Sequence, residues 1–272
     1  MLTETGIKAL GAGIPSEAEL RRLDRAVDII RVRYQRWARA RWSAILRGIR
    51  DEILSLEDPD DADFIAAVMR RDPEEESALI RVIGQVYPAA VSLVTPDDVI
   101  KRMTALEMKA EDARIWDLIS RLVGREIQRI DHTTLSAIRT AYIQADGDVE
   151  KFRKLILESS AFSPARARTI AVTETNTAIN DAIYRASDEV AGERERIMVW
   201  RTTMRLNVRE FHKVMEGKTV PYGEFFHVPN ASGGFDLMLY PGDSLHGAGP
   251  ENIINCFCKG FPRYVARDLR RI

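Results

Sequence analysis

The chain has 272 residues, 45% of them hydrophobic, and a formal net charge of −1. That length holds one large domain or two modest ones. The apolar content excludes a wholly disordered chain, and the charge offers no global attraction to nucleic acid. No apolar run approaches the roughly eighteen residues of a membrane span. The opening "MLTETGIKALGAGIPSEAEL" lacks a basic region followed by an apolar core, so no secretory signal is expected.

In chain order, the first two thirds read as helix. Ser16 to Glu19 has the pattern of a capping box behind Pro15. Leu20, Leu23, Val27, Ile30, Tyr34, Trp37 and Arg41 then recur at three- and four-residue steps, predicting one stripe of a long helix that ends near Gly48. Trp37 and Trp42 are expected to anchor packing. Charge is sharply divided here: residues 21–50 carry ten arginines against two aspartates, and residues 51–76 carry eleven acids against two arginines. Such runs read either as solvated helix faces that touch one another or as a basic helix meeting an acidic partner or phosphate. In the second reading Arg33, Arg36 and Arg39 are the contact residues.

Pro59 and Asp60 break the chain before a short helix, and Pro73 opens the next. Thr95-Pro96-Asp97-Asp98 is a strong helix start, with helical pattern to about Ile130 and another helix from Asp131 to a stop at Gly147. A helix over "DVEKFRKLILESS" follows. Ser163 caps the next, with Pro164 in its first turn and Gly192 at its end.

Composition then changes. "ERIMVWRT" is a short strand-like run, and "MRLNVREFHKVMEGK" a short helix stopped by Gly217. From 218 to 262 the chain is rich in Gly, Pro, Asn and aromatics, with small strands expected at "EFFHV" and "FDLMLY". The expected fold class is α+β: a helical N-terminal region over 1–159 and a small C-terminal domain with short strands over 160–272.

The common enzyme signatures are missing: no phosphate-loop lysine motif, no GxGxxG after a strand, no G-x-S-x-G and no HExxH. Arg205, Arg209 and His212 share one helical face in the sequence pattern. The two cysteines, Cys256 and Cys258, would point to one side of an extended segment. A disulfide between them would be strained. We expect mainly a buried packing pair near the Arg209–His212 helix. The alternative is a zinc site of Cys256, Cys258 and His212 with one further ligand from His227, His246 or Asp243. His132 reads as structural or solvated.

Three motifs in this order, "RTIAVTETNTAINDAIYRA" (168–186), "VWRTTMRLNVREFHKVMEG" (199–217) and "YPGD…INCFC" (240–258), resemble the phage Mu F-like family of minor head, or head morphogenesis, proteins. The resemblance covers roughly 160–262. Two departures stand out: Phe257 takes the place of the usual arginine between the closing cysteines. The slots where many relatives carry a Cys-x-x-Cys and a later His hold Arg209, His212 and Ile253. The resemblance implies a non-enzymatic virion protein of a tailed phage or prophage, located in the capsid interior or at the portal vertex. It would bind the portal and other head proteins, perform no membrane function, and aid head assembly, DNA packaging or ejection. The helical N-terminal region would dock the portal, and double-stranded DNA is a further partner. The rival readings are a Cys/His- or metal-dependent hydrolase or nuclease built on His212, and a standalone DNA-binding protein resting on residues 21–50.

Overall fold

A computed structural model describes residues 17–57, 59–94, 105–191, 195–203 and 208–265. The fold is α+β. Helices α1 (Glu17–Ser55), α2 (Asp61–Met69), α3 (Asp72–Val94), α4 (Ala105–Ala145), α5 (Val149–Glu158) and α6 (Pro164–Ala191) come first, with a 3-10 turn at Ser160–Phe162. Then follow β1 (Glu195–Arg201), α7 (Glu210–Lys213), β2 (Thr219–Pro221), β3 (Phe226–Pro229), β4 (Phe235–Met238), α8 (Pro250–Ile253) and β5 (Lys259–Val265).

The chain forms two compact units, each drawn from separate segments. One comprises Gln35–Gly84 and Glu111–Ala171, the other Met1–Tyr34, Gln85–Ala110 and Val172–Ile272.

The first unit is all-helical. Its share of α1 buries Ala38, Trp42, Ile45, Leu46, Ile49 and Ile53, spaced to keep one face apolar. Trp37 is half-buried, and the Arg81 guanidinium lies over its ring at 5.2 Å. Arg41 is exposed, off the predicted stripe. Gly48 does not stop the helix, which continues to Ser55 because Ile49 and Ile53 prolong the apolar face into the core. Asp60 then caps α2, accepting from Asp63 N and forming a reciprocal capping box. Phe64, Tyr142 and Phe152 meet with ring centroids 5.2–5.8 Å apart, an edge-on cluster that fixes three helices together. α4 runs unbroken through Ile130 and Asp131, where two helices were expected. Asp146 and Gly147 end it at positive φ, and Asp148 caps α5 through Lys151 N. The basic and acidic runs pair only in places: Glu52 binds Arg70 at 2.9 Å and Arg71 at 3.5 Å, and Arg41 reaches Glu74 at 3.8 Å.

This unit also buries charge. Glu75 on α3 is fully buried beside Asp131, Asp72 and Arg166. Burial, then the negative neighbours Asp131 and Asp72, push its pKa to about 9, and burial with Asp72 lifts Asp131 to about 6. Arg166 opposes both shifts. It is held by Ala161 O, Ile130 O and the hydroxyls of Thr133 and Thr134.

The second unit carries the strands. β1 is central in an antiparallel sheet of order β2-β1-β5, with Met198 opposite both Val220 and Pro262. β3 and β4 form a separate hairpin, Phe226 opposite Met238. β2 and β5 were not expected from the sequence. β5 reads "KGFPRYV", and its Pro262 argues against a central strand; β5 lies at the sheet edge, where a missing N–H is tolerated. The core gathers Tyr184 from α6, Met198 and Trp200 from β1, Met215, Phe226, Val228, Met238, Tyr240, Ile253, Cys256 and Cys258. α7 begins at Glu210, so Arg209 is its extended N-cap and does not share a helical face with His212. Ser16, the Thr95–Asp98 start, Gly192 and Arg205 lie outside the described residues.

Lys259, at the start of β5, is fully buried. Its ammonium donates to Asp24 Oδ1 at 2.6 Å, to Asp24 O at 2.9 Å, and pairs with Asp28 Oδ1 at 2.8 Å. Asp28 also pairs with Arg31, whose guanidinium covers the Phe257 ring at 4.8 Å. The Phe257 ring is thus covered by an arginine from α1.

Two outcomes follow from these buried charges. The double change Asp24→Asn with Asp28→Asn strands a buried ammonium and should cost about 3 kcal/mol, whereas Lys259→Met should cost clearly less; denaturant midpoints at pH 7 measure both. Glu75 holds its proton in the folded state at pH values where the unfolded chain, near its ordinary 4.5, has lost it. Stability therefore declines as pH rises from about 5 to about 9. Glu75→Gln should flatten that decline and add about 2 kcal/mol at pH 8, read from melting curves across the range.

Candidate functional site: a polar helix face and a buried His–Cys–Cys cluster

The segment "TETNTAIND" of α6 is helical yet buried. Thr173, Glu174, Thr175, Asn176, Thr177, Asn180 and Asp181 are each at most 6% exposed. Buried polar groups need partners, and for Thr173, Asn176, Thr177 and Asn180 the partners are backbone. Asn180 Nδ2 donates to Pro241 O at 2.8 Å and Cys258 O at 3.0 Å, while its Oδ1 accepts from Gly260 N at 3.0 Å. Asn176 Nδ2 donates to Cys258 O at 3.2 Å, Thr177 Oγ1 to Gly242 O at 3.1 Å, and Thr173 Oγ1 accepts from Asn255 N at 2.9 Å. One helix face thus satisfies the irregular backbone of 241–242 and 255–260. Gly242 sits at φ 84°, where a Cβ would meet Thr177 Oγ1 at 3.1 Å, so this close approach requires glycine. One turn on, Asp181 is fully buried, accepting from Tyr240 Oη at 2.6 Å and from Arg185; burial raises its pKa.

The segment pinned in this way carries the cysteines. α8 ends at Ile253, and Asn255 takes the left-handed conformation at φ 55°, which asparagine tolerates. Beyond this turn both sulfurs face one imidazole nitrogen. His212 Nδ1 is 3.6 Å from Cys256 Sγ and 3.5 Å from Cys258 Sγ. His212, Cys256 and Cys258 are 1%, 2% and 3% exposed, and among the described residues they form a cluster whose donor atoms all lie within 4.8 Å of one another. The Cys258 amide donates to Cys256 Sγ at 3.4 Å. The Cys258 side chain draws the Cys256 thiol well below its ordinary pKa, with His212 adding to the effect. The same contact, with burial, pushes Cys258 up.

His212 Nε2 lies 2.8 Å from Asn252 Oδ1. Asn252 Nδ2 donates to Pro229 O at 3.1 Å and Asp236 Oδ2 at 2.9 Å. Asp236 also receives Gly249 N at 2.8 Å and Asn230 Nδ2 at 2.9 Å. Burial pushes the Asp236 carboxyl up, but the bonds from Asn230, Asn252 and Gly249 outweigh it and hold its pKa below the usual value.

His227 and His246, proposed from sequence as a further ligand, stand apart from this cluster. His227 is exposed on β3, and His246 is exposed and bound through Nδ1 to the buried Asp243 at 2.6 Å. Asp243 instead holds its own turn, accepting from Leu239 N and Leu245 N. His132 is exposed on α4. Arg209 donates to Ile254 O beside the cluster. Arg33, Arg36 and Arg39 are all exposed on α1 and make no ion pair among the described residues; Arg33 covers the Tyr34 ring. Sequence reasoning missed Asn180, Asn252, Asp236 and Lys259. The density of Thr and Asn within a helical pattern was the available signal for the first.

Residues 136–260 match the family model of Phage Mu protein F like proteins. Over this segment the chain is similar to the Mu F-like proteins, a family of phage head morphogenesis proteins. The match spans the end of α4 to the start of β5, so it includes α6's polar face, His212 and both cysteines. No curated protein and no solved structure matches the chain.

Over this segment α6 is thus a template for the backbone between the strands and for Gly260 N at the start of β5. Asn180→Ala would leave Pro241 O and Gly260 N without this partner and Cys258 O with Asn176 alone, and should cost about 3 kcal/mol. Urea unfolding should show a lower midpoint at unchanged slope; a loss under about 1 kcal/mol would mean that other groups take over these bonds.

Proposed function

We propose that this chain is a non-enzymatic minor head protein of a tailed phage or prophage. It docks on the portal and aids head assembly, DNA packaging or ejection. The observation that carries the reading is the Mu F-like match over 136–260, a segment whose distinguishing residues serve folding. The polar row of α6 binds backbone, and the cysteines and His212 are buried from any macromolecular substrate. A nucleophilic cysteine or hydrolytic histidine needs access to its substrate, which favours the structural role over a hydrolase or nuclease. Other head proteins are the expected partners, and among the described residues no helix is long and apolar enough to cross a membrane.

The docking surface we favour is the exposed arginine row Arg33, Arg36 and Arg39, set at three-residue steps along α1. Guanidinium groups without an ion pair among the described residues are available to carboxylates of a portal or to DNA phosphates. Co-expression with the portal protein encoded in the same genome, followed by mass measurement of the purified complex, tests the reading. A stable complex is expected, weakened by Arg33→Glu, Arg36→Glu and Arg39→Glu together. If DNA is also bound, the triple change should reduce the salt slope by about three. Unchanged binding of both partners would remove the arginine row from the interface, and absence of any portal complex would remove the docking role.

A further inference from the structure

We infer that His212 Nδ1, Cys256 Sγ and Cys258 Sγ hold one zinc ion, with a single water as its fourth ligand, and that this ion fastens the closing segment to α7. Three observations carry it.

The first is the state of the imidazole. Asn252 Nδ2 faces two acceptors, Pro229 O and the Asp236 carboxylate. That fixes the amide so that Oδ1, an acceptor, faces His212 Nε2 at 2.8 Å. Nε2 must therefore carry the hydrogen, and Nδ1 presents its lone pair to the two sulfurs. The relay Asp236–Asn252–His212 is the outer support that orients a metal-bound histidine.

The second is distance. Zn–S bonds of about 2.3 Å and a Zn–N bond of about 2.05 Å at tetrahedral angles set an S···N edge of about 3.6 Å, against about 3.8 Å for a flat three-coordinate ion. The two edges here are 3.6 and 3.5 Å. Both edges can be spanned by one ion, the three donors lie within 4.8 Å of one another, and a four-coordinate ion leaves one corner to fill.

The third is the corner itself. Thr203, Val208, Arg209, Asn255 and the three donor residues line a cavity of ≈ 20 Å³, room for about one water. Two thiolates with a divalent ion sum to zero charge, the form that burial penalises least. A cuprous ion would leave a net negative charge. The Cys258 amide aimed at Cys256 Sγ is the backbone donor that a thiolate ligand needs.

The test uses the full chain. After incubation with excess zinc chloride and desalting, elemental analysis should find about one zinc per chain. Cobalt(II) in its place should give the intense visible bands of a tetrahedral ion and a thiolate-to-cobalt charge-transfer band. Cys256→Ser, Cys258→Ser and His212→Ala should each abolish these bands. Because those variants also touch the core, Asn252→Ala is the decisive second variant. It leaves all three ligands in place and should weaken zinc 10–100-fold in competition with a chelating indicator. A folded wild-type chain that retains no zinc and shows no cobalt bands overturns the proposal. So does zinc that survives loss of both cysteines, or a cuprous ion that zinc cannot compete with.

Discussion

The strand-bearing unit depends on a helix that supplies hydrogen bonds sideways. An α-helix satisfies its own backbone and ordinarily offers a neighbour only apolar surface. α6 instead sends Thr173, Asn176, Thr177 and Asn180 into backbone that lies outside the sheets, apart from Gly260 N at the start of β5. Each of those carbonyls and amides would otherwise be buried unpaired, at about 1–3 kcal/mol apiece. The device lets a domain with a three-stranded sheet and one short hairpin bury long stretches of loop. It also explains why threonines and asparagines, indifferent helix formers, are concentrated in the middle of a 28-residue helix.

The same logic extends outward in a chain of fixed dipoles. Asn180 and Asn176 fix the carbonyl of Cys258. That carbonyl sets the direction of the cysteine segment, whose sulfurs converge on His212. Asn252 fixes the ring of His212 from the other side, and Asp236 fixes Asn252. From Asn180 to Asp236 each link matches a donor to an acceptor, and such linked networks favour a single arrangement. The cluster is rigid because both of its sides are tied.

The N-terminal helices were legible in the sequence where apolar spacing and caps agreed. Asp60, Pro73, Asp148 and Ser163 all stand at helix starts. Legibility failed where one signal competed with another. Gly48 looked like a stop but lies between Leu46 and Ile49, whose burial outweighs the helix cost of one glycine. Arg41 continued a numerical period that the apolar face had already left. Pro262 hid β5, since only the sheet order shows that this strand is an edge. At the site, the pairing of Cys256 with Cys258 could be read from alternation along an extended chain, and His212 was singled out for its position near Arg209. Asn252 could not be found: its role rests on long-range contacts with His212 and Asp236 that no local pattern encodes. Arg209 was misplaced because a four-residue helix is too short to show a period.

The bond between Lys259 and Asp24 joins residues 235 apart in the chain. During synthesis the ribosome releases α1 long before β5 exists. Until Lys259 emerges, Asp24 and Asp28 have no ammonium between them, and the central strand β1 lacks its longer neighbour. Non-local pairing of this kind delays folding, since loop closure must precede any reward. The helical unit has no such wait, as its segments are complete by Ala171. Translation thus sets an order, helices first and strands last. A ribosome stalled or terminated before codon 259 yields a chain whose first helix is made but whose last unit cannot close.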